Sequence, residues 1–250
     1  MLLKQQLRQQ LNSNKKTMLS KDSYLEHTYS IDIAPPSVYP NLLAKWMLDN
    51  VFKRAGKIAD FGCGRGDYLD AFSELGFEVC GFDISPAAKK MSDHDVKQVD
   101  FESDPCPYTE EKYDFAFSKS VIEHLREPSS YFSSILESLD EGGKAVIMVP
   151  SWPHTYWGPF YIDHTHVTPY TYRSLKNAME MTGFKNVKVE YFYQLPFLWK
   201  YSWLKPVVSL FSKIPLPYSP YNRVPWGTSV WFNKLIRFSK EVMIIAIEEK

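Results

Sequence analysis

The chain has 250 residues, is 44% apolar and 23% charged, and carries 29 basic and 29 acidic side chains. That length suits one full α/β domain, and the balanced charge names neither a polyanion nor a polycation as partner. Three cysteines (Cys63, Cys80 and Cys106) with no CxxC pair argue against a disulfide framework and point to a reducing cytoplasm.

In chain order, residues 1–37 read as an N-terminal extension. Its longest apolar run, Met1 to Leu3, falls short of the roughly 7–15 residues of a secretory signal core. Leu3, Leu7 and Leu11 recur every fourth residue, which leaves a short amphipathic helix and a frayed extension both open. No run approaches the roughly 18 apolar residues of a membrane span.

Residues 38–250 form the main domain. Leu42, Leu43, Trp46, Met47 and Phe52 predict a helix, and Gly56 is expected to close it. Strands are predicted at Lys57–Phe61, Glu78–Phe82, Val96–Asp100, Tyr113–Ser118 and Lys144–Val149. Helical patterns lie between most of them, including Tyr68–Leu75 and Tyr131–Leu139, with Gly76 and Gly142-Gly143 as expected stops. Strands alternating with helices imply a doubly wound α/β fold whose ligands sit beyond the strand carboxyl ends.

The first strand runs into "IADFGCGRGDYL", in which Gly62, Gly64 and Gly66 follow Asp60 at every second position. A dinucleotide fingerprint would place its third glycine at residue 67, which is Asp, and no GxxxxGK[ST] phosphate loop exists. D-x-G-x-G-x-G fits an adenosine cofactor without phosphates: glycine backbone lets its amino-acid portion approach, and Asp60 attracts an ammonium. Asp83, in "VCGFDIS" at the second strand end, can accept from both ribose hydroxyls.

"IADFGCGRGDYL", "VCGFDIS", "VDFESDPCPYTEEKYDFAFSKSVIEHL" and "LDEGGKAVIMVPSW" together resemble the successive motifs of class I S-adenosylmethionine-dependent methyltransferases, over roughly residues 40 to 185. The small-molecule type is the most similar, in the ubiquinone-biosynthesis-like and polysaccharide-associated groups. The resemblance implies a Rossmann-like, mostly parallel seven-stranded sheet with an antiparallel last strand inserted beside the sixth; Val187–Tyr193 and Glu241–Glu248 suit that pair. It implies S-adenosyl-L-methionine as cofactor and S-adenosyl-L-homocysteine as product. Asp60, Gly62, Gly64 and Gly66 would contact the methionine portion, and Asp83 and Ile84 the ribose and adenine. Asp100 and Phe101 would meet the adenine, while Ser118, Lys119 and Ser120 would border the methyl.

On the acceptor side, "FSKS" after the fourth strand lacks the [DNS]PP[YFW] tetrapeptide of amino-directed nucleic-acid enzymes. Pro105-Cys106 precedes that strand, so Cys106 reads as a loop residue rather than a cytosine-directed nucleophile. Similar enzymes often show Asp, His and a helix-opening Thr where this chain has Asp163, His166 and Thr168 or Thr171, and commonly carry Glu-His where it has Glu123-His124. His124, Asp163 and His166 are therefore the catalytic candidates. His164 and His166 with Asp163 have no supporting ligand cluster, so no metal is expected.

Tyr191 to Lys240 holds seven basic residues, fourteen aromatics and no acid, leaving 22 basic against 29 acidic side chains elsewhere. Its part 195–239 reads as an insertion before the last strand, with three uses open. These are a lid over the substrate, peripheral membrane contact, and a site for a phosphate-bearing substrate. The expected function is O-methylation of a small-molecule, sugar or lipid-linked acceptor by a cytoplasmic enzyme, with no nucleic acid as partner. The alternatives are a catalytically inactive binding module on the same fold and a nucleic-acid or protein methyltransferase.

Overall fold

A computed structural model describes residue 25 and residues 35–103, 111–219 and 230–249. Leu3, Leu7 and Leu11, the loop cysteine Cys106, and Arg223 and Trp226 of the basic-aromatic segment lie outside the described residues.

Helix α1 (Tyr39–Met47) runs into a π-helical turn at Leu48–Phe52 and leads to β1 (Lys57–Phe61). Next come α2 (Asp67–Glu74), β2 (Glu78–Asp83), α3 (Ala88–Met91) and β3 (Val96–Gln98). Then β4 (Tyr113–Lys119), a 3-10 turn at Ile122–His124, α4 (Ser129–Ser138) and β5 (Leu139–Pro150) follow. After them lie α5 (Trp152–Thr155), a 3-10 turn at Pro159–Ile162, α6 (Tyr172–Met181) and β6 (Lys188–Phe192). The path to β7 (Met243–Glu249) passes α7 (Pro196–Lys200), a 3-10 turn at Ser202–Leu204, α8 (Lys205–Phe211) and α9 (Val230–Lys240).

The strands form one sheet in the order β3-β2-β1-β4-β5-β7-β6. The first five are mutually parallel, and β7 runs antiparallel to both β5 and β6. Alternation along each strand feeds two apolar layers, as a sheet with helices on both faces requires. On β5, Ala145, Ile147 and Val149 join the layer under α4 and α6, with Tyr131, Ile135 and Leu175. Val146 and Met148 join the opposite layer with Leu43, Met47 and Phe72 of α1 and α2. Cys63 and Cys80 are free and buried.

Three expectations about punctuation are corrected. The first helix is closed by Lys53, in left-handed backbone at φ 67° with its amide on Leu48 O at 2.8 Å, and not by Gly56. Gly56 is wanted for space, since a Cβ there would lie 2.5 Å from Asp114 Oδ2, which pairs with Lys57 N–H and sits in the carboxylate that binds Arg54. Gly142-Gly143 does not stop a helix: α4 ends at Ser138 and the pair sits inside β5, opposite a register shift between Tyr113 and Phe115. The third strand ends at Gln98, so Asp100 falls in the turn that follows.

Tyr131, fully buried on α4, ties the helix to the sheet beneath the site. Its hydroxyl donates to Phe61 O at 3.1 Å, so Ser118 Oγ, 2.6 Å away, donates to it in turn. Tyr131→Phe leaves both partners buried without that group and should destabilise by about 1–3 kcal/mol; an unshifted urea midpoint would show that these bonds carry no net stability.

Candidate active site

The turn between β1 and α2 is built from left-handed backbone: φ is 86° at Gly62, 56° at Gly64 and 92° at Gly66. Residues with a Cβ are strained there, and at Gly62 a side chain would also strike Val121 from the β4 end. Gly62 and Cys63 donate to Phe82 O at 2.6 and 3.1 Å, extending the β1–β2 ladder beyond the strand.

Asp83 locks this turn. One carboxylate oxygen accepts from Gly64 N–H and the other from Ser85 N–H, both at 2.8 Å. Burial raises the Asp83 carboxyl, and the amides of Ser85, Gly64 and Ile84 oppose that rise. The carboxylate keeps acceptor capacity for a ligand. Ile84 beside it is half-buried, with its carbonyl 3.3 Å from Gln98 Nε2.

Asp60 is 2% exposed, and its Oδ2 has no hydrogen-bond partner. Burial first, then Asp83, pushes its carboxyl up to about 8, with Lys119 opposing. Burial conversely brings the Lys119 ammonium down to about 8 against the pull of Glu123 and Asp60. A buried carboxyl with an unsatisfied oxygen beside a glycine cradle fits a ligand that brings a cation and needs close backbone approach.

The other expected cofactor residues divide. Asp100 caps its own turn, accepting from Glu102 N–H at 3.1 Å and Ser103 Oγ at 3.0 Å. The Phe101 ring packs in the core against Tyr131, 4.7 Å between centroids. Ser118 likewise turns its hydroxyl inward to Tyr131. Ser120 holds left-handed backbone at φ 60°, unusual for a residue with a Cβ, and donates its amide to Met148 O.

A second cluster gathers beyond β4. His124 Nδ1 lies 2.8 Å from Thr165 Oγ, which donates to Asp163 Oδ1 at 2.6 Å. Because Thr165 gives its proton to Asp163, it accepts from His124, so Nδ1 carries the hydrogen and Nε2 the lone pair. His166 Nδ1 faces Phe160 O at 2.6 Å and is therefore also the protonated nitrogen. The rings meet edge-on at 4.6 Å. Burial, joined by His166, lowers His124 to about 4, and burial lowers His166 too.

The three catalytic candidates thus come together, and the structure adds Glu123. This carboxyl is 0% exposed, both oxygens lack a hydrogen-bond partner, and burial pushes it up to about 8. His166 Nε2 stops 4.0 Å from it. Glu123, His124 and His166 each bring a ligand-type atom within 4.8 Å of the others, so they could hold a cation. That set differs from the His164-containing one weighed from the sequence. Sequence spacing could not reveal Thr165, 41 residues from His124, or the Phe160 carbonyl. The helix-opening threonine is Thr171, which makes a capping box with Ser174, whereas Thr168 bonds Leu125 O.

A family model described as a methyltransferase domain matches residues 37–189. The chain is 28% identical over 94 residues to a ubiquinone biosynthesis O-methyltransferase of Ruegeria sp., covering 35% of this chain and 38% of that protein. It is 25% identical over 192 residues to phosphoethanolamine N-methyltransferase 2 of Caenorhabditis elegans, covering 72% of this chain and 44% of that one. The matches therefore span well under half the length of these curated relatives. In fold it is similar to a SAM-dependent methyltransferase from Archaeoglobus fulgidus, with a TM-score of 0.58 at 22% identity over 90% of this chain and 99% of that one. With the family model spanning more than half of its residues, this chain belongs to the methyltransferase-domain family, as a class I S-adenosylmethionine-dependent member.

Proposed function

We propose that the chain moves the methyl group of S-adenosylmethionine to an oxygen of a small-molecule acceptor, free or linked to a sugar or lipid. The observation that carries this reading is a glycine turn pinned by Asp83 next to a buried Asp60 with an unmatched oxygen. When bound, the cofactor supplies a methyl on a sulfonium, open to in-line attack. Asp60 would accept from its α-ammonium, and the spare acceptor capacity of Asp83 would take the ribose hydroxyls. Gly62, Gly64 and Gly66 would let the methionine portion lie against backbone. Ile84 and the backbone of Asp100 and Phe101 would flank the adenine, with Lys119 and Ser120 bordering the methyl.

His124 would orient the acceptor hydroxyl and take its proton at Nε2, while Thr165 and Asp163 hold the opposite nitrogen. A hydroxyl needs such a base because its pKa lies far above neutrality. His166, fixed by Phe160 O, would position the acceptor. The names of the ubiquinone-biosynthesis O-methyltransferases favour oxygen, whereas the phosphoethanolamine relative carries a nitrogen-directed name. One observation favours a second reading of the same groups. The clustering of Glu123, His124 and His166 suits a divalent cation that would acidify a bound hydroxyl.

Three measurements test this. Asp83→Ala should weaken cofactor binding by about 1–3 kcal/mol, roughly 5- to 150-fold, by calorimetry; unchanged affinity would remove the assigned cradle. A neighbouring cation favours ionised Asp60, whose carboxyl otherwise ionises near 8. The affinity advantage of the native protein over Asp60→Asn should therefore grow from about pH 6 to pH 8 and then level off; a pH-independent ratio would dissociate Asp60 from the ammonium. Finally, methyl-labelled cofactor is incubated with the protein and a cell extract, and the products are fractionated. Label should enter hydroxylated small molecules or lipids, and His124→Gln should slow transfer by about 10²–10⁴-fold with cofactor affinity kept. Label in nucleic acid or protein would move the acceptor class, and cofactor binding without any transfer would favour a binding module. Activity lost to a chelator and restored by magnesium or zinc would favour the cation reading.

A further inference from the structure

The chain between β6 and β7 carries an apolar stripe that the fold leaves uncovered. Helix α8 turns Val208 inward, into a small cluster with Leu195 and Leu198 that Leu235 and Phe238 of α9 close. Val207 and Leu210 on its outer side are 60% and 69% exposed, and Trp203 in the 3-10 turn before it and Ile214 just beyond its end are 72% and 46% exposed. Helical spacing puts Val207 and Leu210 on one face, and Trp203 and Ile214 extend this exposed apolar stripe at the two ends of the helix. Lys200 and Lys213 are exposed near its two ends, Lys205 is half-buried between them, and Tyr191 to Lys240 contains no acidic residue to neutralise them.

We propose that this stripe docks the protein on an anionic membrane surface, with Trp203, Val207, Leu210 and Ile214 entering the acyl boundary and the lysines meeting headgroup phosphates. The arrangement suits an interfacial contact: a short helix and its flanking turns carry exposed apolar side chains with cationic flanks and an aromatic ring at the edge. A second copy of the chain fits less well. A two-fold contact over the stripe would set the lysines of each copy against those of the other. A nucleic acid would find three aliphatic side chains and a single ring, Trp203, where binding a strand by stacking calls for successive rings. Among the described residues no helix is long and apolar enough to cross a membrane, so the contact is peripheral.

Topology sets what this docking does. The segment leaves the sheet at Phe192 and returns at Met243, which pair with each other, and Met243 lies beside Pro150 at the carboxyl end of β5. The glycine turn and Lys119 occupy that same edge, and Arg237 of α9 acts electrostatically on Lys119. A docked molecule therefore presents its open sheet edge close to the lipid, where an acceptor with an apolar tail would be met. Surface docking stands independently of the methyl-transfer reading.

The test is co-sedimentation of the full chain with vesicles of phosphatidylcholine plus phosphatidylglycerol, and with phosphatidylcholine alone, with calorimetric cofactor binding measured alongside. Binding should be strong to the anionic vesicles, weaker to the neutral ones and reduced by salt. Leu210→Glu removes one buried leucine's worth of partitioning and should lower it at least about tenfold, and Lys213→Glu at least about fivefold. Both positions are exposed, so melting temperature and cofactor affinity should stay unchanged. No sedimentation with anionic vesicles, or equal sedimentation of Leu210→Glu, overturns the proposal. So does a concentration-dependent dimer that Leu210→Glu dissolves, which would assign the stripe to a second copy.

Discussion

The carboxylate of Asp83 is the constraint on which the cofactor half of the site depends. Its two oxygens hold amides from two different turns, Gly64 after β1 and Ser85 after β2. The parallel register pairs Phe61 with Phe82, so Asp83 stands one residue past the end of β1, level with the glycine turn. That offset lets one short side chain stitch the two loops together just beyond the last β1–β2 ladder hydrogen bonds, which Gly62 and Cys63 make to Phe82 O. A cradle fixed in this way loses little conformational entropy when a ligand settles in it. The left-handed glycines make the shape attainable, and the carboxylate selects it.

Around that tether, burial drives the ionisable groups toward neutrality from both sides. Asp60 and Glu123 are raised, while Lys119, His124 and His166 are lowered. The result is a site with a low charge density but several polar atoms looking for partners, lying over a core that is apolar on both sheet faces. Unpaired buried polar groups destabilise by about 1–3 kcal/mol each, which is tolerable only because the two apolar layers are continuous. Such a site responds strongly to a charged guest, since little mobile charge is present to screen it.

Much of this was legible in the sequence because it is local. Strand β1 was read to the residue, since an apolar run bounded by Gly56 and Gly62 leaves little freedom, and the glycine motif announced its backbone directly. Errors arose where glycine has more than one use. Gly56 makes room for Asp114, and Gly142-Gly143 serves a bulge, yet both look like helix stops when only neighbours are considered. The family resemblance implies Phe101 and Ser118 beside the cofactor, but their side chains are committed to Tyr131. The acceptor cluster was half visible. His124 and His166 stood out by type, whereas Glu123 drew no role of its own because a carboxylate in a Glu-His pair looks like surface until the fold buries it.

The placement of β7 has a consequence for how the molecule is made. This strand follows β6 in the chain yet lies between β5 and β6, hydrogen-bonded to both along their lengths. While the polypeptide emerges from a ribosome, β6 has no sheet edge to join and the flank of β5 stays open until β7 arrives. Such an uncovered edge is a template for pairing with another nascent chain. The intervening segment, with its exposed Trp203 and Leu210, is produced during just that interval. The nascent chain is thus most adhesive shortly before the sheet closes, and a chaperone or membrane surface engaging it then would shield both hazards together.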